Sequence, residues 1–267
     1  MNFKGVRTVN VETIMSKNPL CVNDNEYITH ARQLMRDNFL RGLPVVDDSN
    51  RVLGIITDQD ILNVRANKSN VTVKGYTREC PIITPEMDIL KASKLLLKAK
   101  ENRVPVVTSS TEKKISGILS DVDILKNIPD SKIPSKCVSE IMTTDVMTIN
   151  PEETVAKLWA NMIDWNYTGV PVVDNKGEVY GIVTRRDIIK SGHARIGASD
   201  THGKSSGNSP KVEKIMSTPL YTITPETKIE QAIAKLLDNN IGRICVSEKD
   251  ELIGIVDRYD LLLACVK

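Results

Sequence analysis

One phrase is written four times along the chain, and no other feature restricts its folding as tightly. It runs Gly, two apolar residues, a hydroxyl or acid, two further residues and Asp. The copies are Gly54-Ile55-Ile56-Thr57-Asp58-Gln59-Asp60, Gly117-Ile118-Leu119-Ser120-Asp121-Val122-Asp123, Gly181-Ile182-Val183-Thr184-Arg185-Arg186-Asp187 and Gly254-Ile255-Val256-Asp257-Arg258-Tyr259-Asp260. Their glycines lie 63, 64 and 73 residues apart. Repetition at that interval makes the fold an array of small supersecondary units rather than one large domain. Each copy also ends in a carboxylate at the start of a helix that directly follows a strand.

The rest of each unit reads in a constant order. A short apolar segment, taken as a strand, opens it: Val11-Glu12-Thr13-Ile14-Met15, Val138-Ser139-Glu140-Ile141-Met142 and Val212-Glu213-Lys214-Ile215-Met216. The second unit has Val73-Lys74-Gly75-Tyr76 and lacks the Ile-Met pair. A second strand ends in Ile83-Thr84-Pro85, Ile149-Asn150-Pro151 and Ile223-Thr224-Pro225, and Pro with acidic residues after it marks a helix start. Apolar residues at helical spacing follow, as in Ile28, Ala31, Leu34 and Met35, or Ile229, Ala232, Ile233, Leu236 and Leu237. Thr227 and Glu230 have the spacing of a capping box. Two β-branched strands joined by a polar turn then lead into the closing helix at Thr-x-x-Asp.

The predicted class is α/β, with each unit built as strand, strand, helix, strand, strand, helix. The units span 8–66, 73–128, 135–191 and 211–267, and a Gly- and Ser-rich flexible linker covers 192–210. A unit of about 55–60 residues with one apolar sheet face is marginal by itself. The first is therefore expected to pair with the second, and the third with the fourth.

Composition narrows the function classes. With a net charge of +2 and 4% aromatic residues, neither nucleic acid nor an anionic membrane surface is the expected partner. No apolar run approaches the ~18 residues of a membrane span, and no signal-peptide stretch follows Met1. Five scattered cysteines, Cys21, Cys80, Cys137, Cys245 and Cys265, read as reduced thiols of a cytoplasmic protein. The three histidines, His30, His193 and His202, have no metal-ligand or general-base partner at useful spacing. No Gly-rich phosphate loop is present either. Neither catalytic nor metal-binding residues are expected.

The chemistry lies in the repeated Asp, for which two readings stay open. Thr-x-x-Asp before a helix is a capping arrangement, and the acid suits the positive helix end. The reciprocal bond of a capping box is normally made by Glu or Gln, however, and every copy here has Asp. A carboxylate at a strand-to-helix junction can instead accept from both hydroxyls of a ribose, each charge-assisted bond contributing about 1.5–3 kcal/mol. Free N–H groups at the helix start suit a phosphate. Arg41, Arg103 and Arg243 precede buried strands by one or two residues, where a guanidinium could reach across a cleft or simply remain solvated.

The combination of Ile-Met, Thr-Pro, Pro-Val-Val-Asp and Gly-Ile-x-Thr-x-x-Asp resembles the CBS domain, four times over almost the whole chain. Four copies in two tandem pairs are similar to the γ subunit of AMP-activated protein kinase and to archaeal stand-alone CBS proteins. The resemblance implies disc-like modules whose clefts bind AMP, ADP, ATP or S-adenosylmethionine. It implies that Asp60, Asp123, Asp187 and Asp260 hold ribose hydroxyls and that Thr57, Ser120, Thr184 and Thr168 line the clefts. Arg41, Arg103 and Arg243 would contact phosphate, with one deletion allowed in the fourth hairpin. It further implies a homodimer formed through disc faces and a non-catalytic regulator of another, unidentified chain. A ligand-free interaction scaffold is the competing reading. Three departures stand out. Asp257 replaces the usual Ser or Thr, adding charge that repels phosphate; Asp123 is present where the kinase subunit lacks its ribose acid; and Val122 supplies no basic side chain.

Overall fold

The computed structural model of the chain describes residues 9–64, 71–191, 209–249 and 251–267. The first repeat contains α1 (Val11–Ile14), β1 (Ser16–Lys17), β2 (Val22–Asn23), α2 (Ile28–Asp37), β3 (Gly42–Val46), β4 (Val52–Thr57) and α3 (Asp58–Asn63). The second opens with a 3-10 turn at Val73–Tyr76 and continues as α4 (Ile89–Lys98), β5 (Arg103–Val107), β6 (Ile115–Ser120) and α5 (Asp121–Asn127). In the third, a turn at Val138–Glu140 precedes α6 (Val155–Asp164), β7 (Gly169–Val173), β8 (Val179–Thr184) and α7 (Arg185–Lys190). The fourth has a turn at Val212–Lys214, then β9 (Thr222–Ile223), α8 (Ile229–Asp238), β10 (Arg243–Glu248), β11 (Glu251–Asp257) and α9 (Arg258–Val266).

The opening segment of every repeat is a single helical turn, not the strand expected from its apolar content. Val11 and Ile14, like Val138 and Ile141 or Val212 and Ile215, are three residues apart, so one turn puts both on one side. The turn is held by the partner repeat. Val11 N–H donates to Met87 O, Val73 to Glu26 O, Val138 to Thr227 O and Val212 to Glu153 O, at 2.8–2.9 Å, and all four valines are fully buried. The Pro-acid segments are likewise turns, and the helices start about four residues later, at Ile89, Val155 and Ile229. Their proline carbonyls accept the next amides of the incoming turn: Glu12 to Pro85, Ser139 to Pro225 and Glu213 to Pro151. Thr227 is accordingly not a cap. The N-cap of α8 is Lys228, whose N–H donates to Gln231 Oε1 at 3.2 Å.

Beyond the turn, the chain crosses to the neighbouring sheet. β1 of the first repeat pairs antiparallel with β6 of the second, and Arg78 of the second pairs with Ile55 of the first. The second half repeats the exchange, with Thr143 opposite Ile255 and Ser217 opposite Ile182. Repeats one and two, and three and four, are therefore reciprocally interlocked pairs, as expected. Of the linker 192–210, residues 192–208, with His193 and His202, lie outside the described residues. Its last two residues are docked: Ser209 Oγ accepts Ala156 N–H at 3.1 Å, and Pro210 O accepts Val155 N–H at 2.9 Å.

The two modules meet through their helices, second repeat against fourth and first against third. α4 and α5 pack on α8 and α9, where Leu96, Leu97, Ile124 and Leu125 merge with Leu236, Leu261, Leu262 and Cys265 into one buried core. The first and third repeats keep separate cores and touch through α3 and α7. No helix among the described residues is long and apolar enough to cross a membrane, and all five thiols are free.

Candidate functional site

Each closing helix begins directly where a sheet strand ends, because its N-cap is the last residue of that strand. The N-caps are Thr57, Ser120, Thr184 and Asp257, and every one closes a capping box with the Asp three residues on. Oδ2 of Asp60, Asp123, Asp187 and Asp260 accepts the N-cap N–H at 2.7, 2.9, 2.7 and 3.0 Å. The Thr57, Ser120 and Thr184 hydroxyls donate to the same oxygens at 2.6 Å. Asp is thus long enough for the reciprocal bond, contrary to the sequence argument, because the strand delivers its N-cap amide directly over the helix start. Capping consumes one carboxylate oxygen, and an ionised carboxylate can still accept at the other.

In the first and third repeats the second oxygen meets a residue from the partner repeat, and the two clefts differ. In the third repeat, Ser217 Oγ donates to Asp187 Oδ1 at 3.2 Å. In the first, Arg78 Nε lies 3.0 Å from Asp60 Oδ1, its Nη2 donates to Thr57 Oγ1 at 3.0 Å, and its Nη1 is 2.7 Å from Glu101 Oε1. Burial pushes the Glu101 carboxyl up in pKa, and Arg78 pulls it back. Arg78 and Glu101 were not singled out from the sequence. The signal was there: Arg78 occupies the position after the Ile-Met pair, the pair that the second repeat lacks.

The strand starts correct the arginine set. Gly42, Arg103, Gly169 and Arg243 are equivalent, because each pairs with the N-cap of its own repeat, Thr57, Ser120, Thr184 and Asp257. Arg41 lies one position earlier, in register with Asn102, Thr168 and Gly242, whose carbonyls all accept the first N–H of a closing helix. The Gly/Arg alternation follows from packing across each pair. A Cβ at Gly42 would sit 3.2 Å from Arg103 Cδ, and one at Gly169 2.8 Å from Arg243 Nη1. Arg243 bonds Thr168 Oγ1 through Nη2 and Gly169 O through Nη1 at 3.3 Å. Arg41 approaches Gly242 across the modules.

These groups surround a cavity of about 610 Å³ between the modules. Of the residues singled out from the sequence, Thr57, Thr168, Arg41, Arg243 and Asp260 line it; Asp60, Asp123, Asp187, Ser120, Thr184 and Arg103 do not. Thr143, Asp145, Val146, Met147 and Ile255 extend the cavity into the fourth cleft. The first residues of the closing helices also face it: Asp58 and Asp121 from one module, Arg185 and Arg258 from the other. Arg258 Nη1 stands 3.8 Å from Asp121 Oδ1, while its buried Nε has no partner among the described residues. Burial lowers the pKa of Arg103, Arg185, Arg243 and Arg258 and raises that of Asp58 and Asp121; across the cavity Arg185 counters the shift on Asp58 and Arg258 that on Asp121, while the acids opposing Arg103 and Arg243 are chiefly Asp121 and Asp257 of their own repeats.

The fourth cleft is electrostatically distinct. Asp257 spends its carboxylate on its own helix, with Oδ1 accepting from Tyr259 N–H at 2.9 Å and Asp260 N–H at 3.1 Å. Burial, and then the charge of Asp257, pushes the Asp260 carboxyl up to about 7, against the pull of Arg243. Among the described residues no cluster of His, Cys, Asp and Glu has the geometry to hold a metal ion. His30 in α2 does have an acidic neighbour, Glu26 just before the helix, but both side chains are exposed to solvent.

The profile of the CBS domain matches the chain at residues 11–67, 73–130, 138–193 and 212–267. The uncharacterized protein MJ1404 of Methanocaldococcus jannaschii is 29% identical over 259 residues, which is 94% of this chain and 61% of that protein. The chain thus spans about three fifths of that relative's length. MJ1225 of the same organism is 25% identical over 204 residues, 71% of this chain and 72% of that one. The crystal structure of MJ1225, a proposed archaeal homologue of γ-AMPK, superposes with a TM-score of 0.80 at 23% identity, covering 96% of this chain and 99% of that one. With four matched copies occupying most of its residues, the chain belongs to the CBS domain family.

Proposed function

We propose that the chain is a non-catalytic regulatory protein that binds adenosyl ligands, AMP, ADP or ATP, in the clefts between paired repeats. The third cleft carries this reading best. There Asp187 uses Oδ2 to cap its helix while Oδ1 takes a hydroxyl, that of Ser217, at 3.2 Å. A sugar hydroxyl can take the same place without disturbing the fold. Arg41 and Arg243 at the central cavity supply charge for phosphates, as does Arg103 at the equivalent strand start in the second repeat. Ligand energy reaches the rest of the molecule because each cleft is built from two repeats, so a ligand favours one arrangement of the pair over another. The receiver is a partner protein in the cytoplasm. The helix faces of the discs are already used within the chain, so homodimer formation would use other faces.

Isothermal titration of ligand-free protein with AMP, ATP and S-adenosylmethionine tests the proposal, and no heat with any of the three would refute it. Asp187→Asn is expected to weaken one binding step about tenfold to a hundredfold, the loss of one or two charge-assisted bonds. A ligand-free scaffold predicts that this variant changes the melting temperature without changing any ligand response. The fourth cleft favours a second ligand type. Asp257 occupies the helix amides that would otherwise receive phosphate and sits beside Asp260, an arrangement that suits a cationic 5′-substituent such as the sulfonium of S-adenosylmethionine.

A further inference from the structure

The first cleft already holds a charged group where a sugar diol would lie. In every repeat the residue after the repeated glycine pairs with the chain entering from the partner: Ile118 with Ser16, Ile182 with Ser217, Ile255 with Thr143 and Ile55 with Arg78. Three repeats therefore receive a small hydroxyl at this point, and the first receives a guanidinium. A second position departs with it. Two residues before each strand-start Gly or Arg stand Leu40, Tyr167 and Ile241 in three repeats, but Glu101 in the second. Arginine and glutamate appear together, and they touch: Arg78 Nη1 lies 2.7 Å from Glu101 Oε1.

The consequence for the cleft is direct. Arg78 Nε lies 3.0 Å from Asp60 Oδ1 and 3.1 Å from Oδ2, and Nη2 donates to Thr57 Oγ1 at 3.0 Å. One guanidinium thus satisfies a carboxylate that the third cleft leaves to the neutral Ser217 hydroxyl, and bonds the cap hydroxyl as well. Asp60 and Glu101 are both buried, so a ligand that displaced Arg78 would leave two desolvated carboxylates without their counter-ion. A ribose hydroxyl is a poor exchange for a forked, charge-assisted contact. Displacing the Ser217 hydroxyl in the third cleft carries no such penalty.

We propose that Arg78, held by Glu101, is an internal counter-ion that closes the first cleft to adenosyl ligands, so that the remaining clefts set the binding capacity of the chain. This rests on the adenosyl-binding reading of those clefts. The test is isothermal titration of the full chain with AMP, comparing wild type, Arg78→Ser and Arg78→Ser/Glu101→Gln. The first variant restores the hydroxyl found in the other repeats. The second also removes the acid that Arg78 would leave uncompensated, so the test survives if the single variant folds poorly.

Either variant is expected to bind one more equivalent of AMP per chain than wild type, and adding Asp60→Asn should abolish that equivalent. Folded variants with an unchanged number of sites would overturn the proposal. So would weaker binding with the same number or fewer, which would make Arg78 a ligand contact at the cavity. If wild type binds no AMP and Arg78→Ser binds one equivalent, the reading of the other clefts fails while closure of the first stands. If neither binds, both are wrong.

Discussion

Asp257 and Asp260 illustrate how a single substitution within a repeated motif changes its chemistry. Where three repeats place a hydroxyl that donates to the acid, the fourth places a second acid that can only compete with it. Asp260 is held at about 7 by burial and by Asp257, against an ordinary 3.8. A carboxyl with a higher pKa folded than unfolded binds protons preferentially in the native state. Its contribution is therefore full below about pH 4 and lost as pH rises through about 7. Asp257→Asn removes the repulsion and keeps a good N-cap. It should stabilise the protein on the order of 1 kcal/mol at pH 8 and by much less at pH 5, measured by denaturant unfolding at both values. A gain independent of pH would show that Asp257 does not act through Asp260. The capping half of the motif was legible in the sequence from Thr-x-x-Asp spacing; that Asp could close the box itself was not, because the strand's approach to the helix sets that distance.

At the scale of elements, the closing helices carry a charge code. Their first residues are Asp58 and Asp121 in the first module and Arg185 and Arg258 in the second, and α3 faces α7 while α5 faces α9. Opposite charges therefore meet between modules of one chain, whereas like modules from two chains would bring like charges together. The polar seam adds Arg185 Nη1 to Gln59 Oε1 at 2.8 Å and Gln59 Nε2 to Asn166 Oδ1 at 2.6 Å. Arg258→Asp should destabilise the chain strongly, since it sets two acids together in a buried site. The exchange Asp121→Arg/Arg258→Asp should recover part of the loss. A double-mutant cycle is expected to give a coupling of about 1–3 kcal/mol, and a coupling near zero would show that the 3.8 Å pair contributes nothing. The helices themselves were readable from their 3.6-residue periodicity. The opening turns were not, because five residues are too few to separate one helical turn from a strand.

Across the whole molecule the two module contacts differ in kind. The second and fourth repeats share one apolar core, with Leu236 and Leu261 fully buried in it. The first and third meet through hydrogen bonds, with Arg186 over the Phe39 ring at 5.4 Å and Phe39 itself 59% exposed. Leu261→Ala is expected to cost about 2–5 kcal/mol, and Phe39→Ala no more than about 1 kcal/mol, by thermal or denaturant unfolding. Hydrogen exchange should report earlier opening at α3 and α7 than at α5 and α9. Equal protection on both sides would show that the polar contact is no weaker than the apolar one. The cavity lies between these two contacts, and the seam residues Gln59, Asn166 and Arg185 line it.

The repeat count, the pairing of neighbours and the four helix-start carboxylates were all written in local pattern, since periodicity and cap chemistry act over a few residues. What local pattern could not supply were the contacts made across repeats: Arg78 on Asp60, Arg243 on Thr168, Asp121 opposite Arg258. Those depend on the exchange of opening segments and on which module faces lie together. Residues 18 to more than 100 positions apart become neighbours there through packing, and burial then determines what their charges are worth.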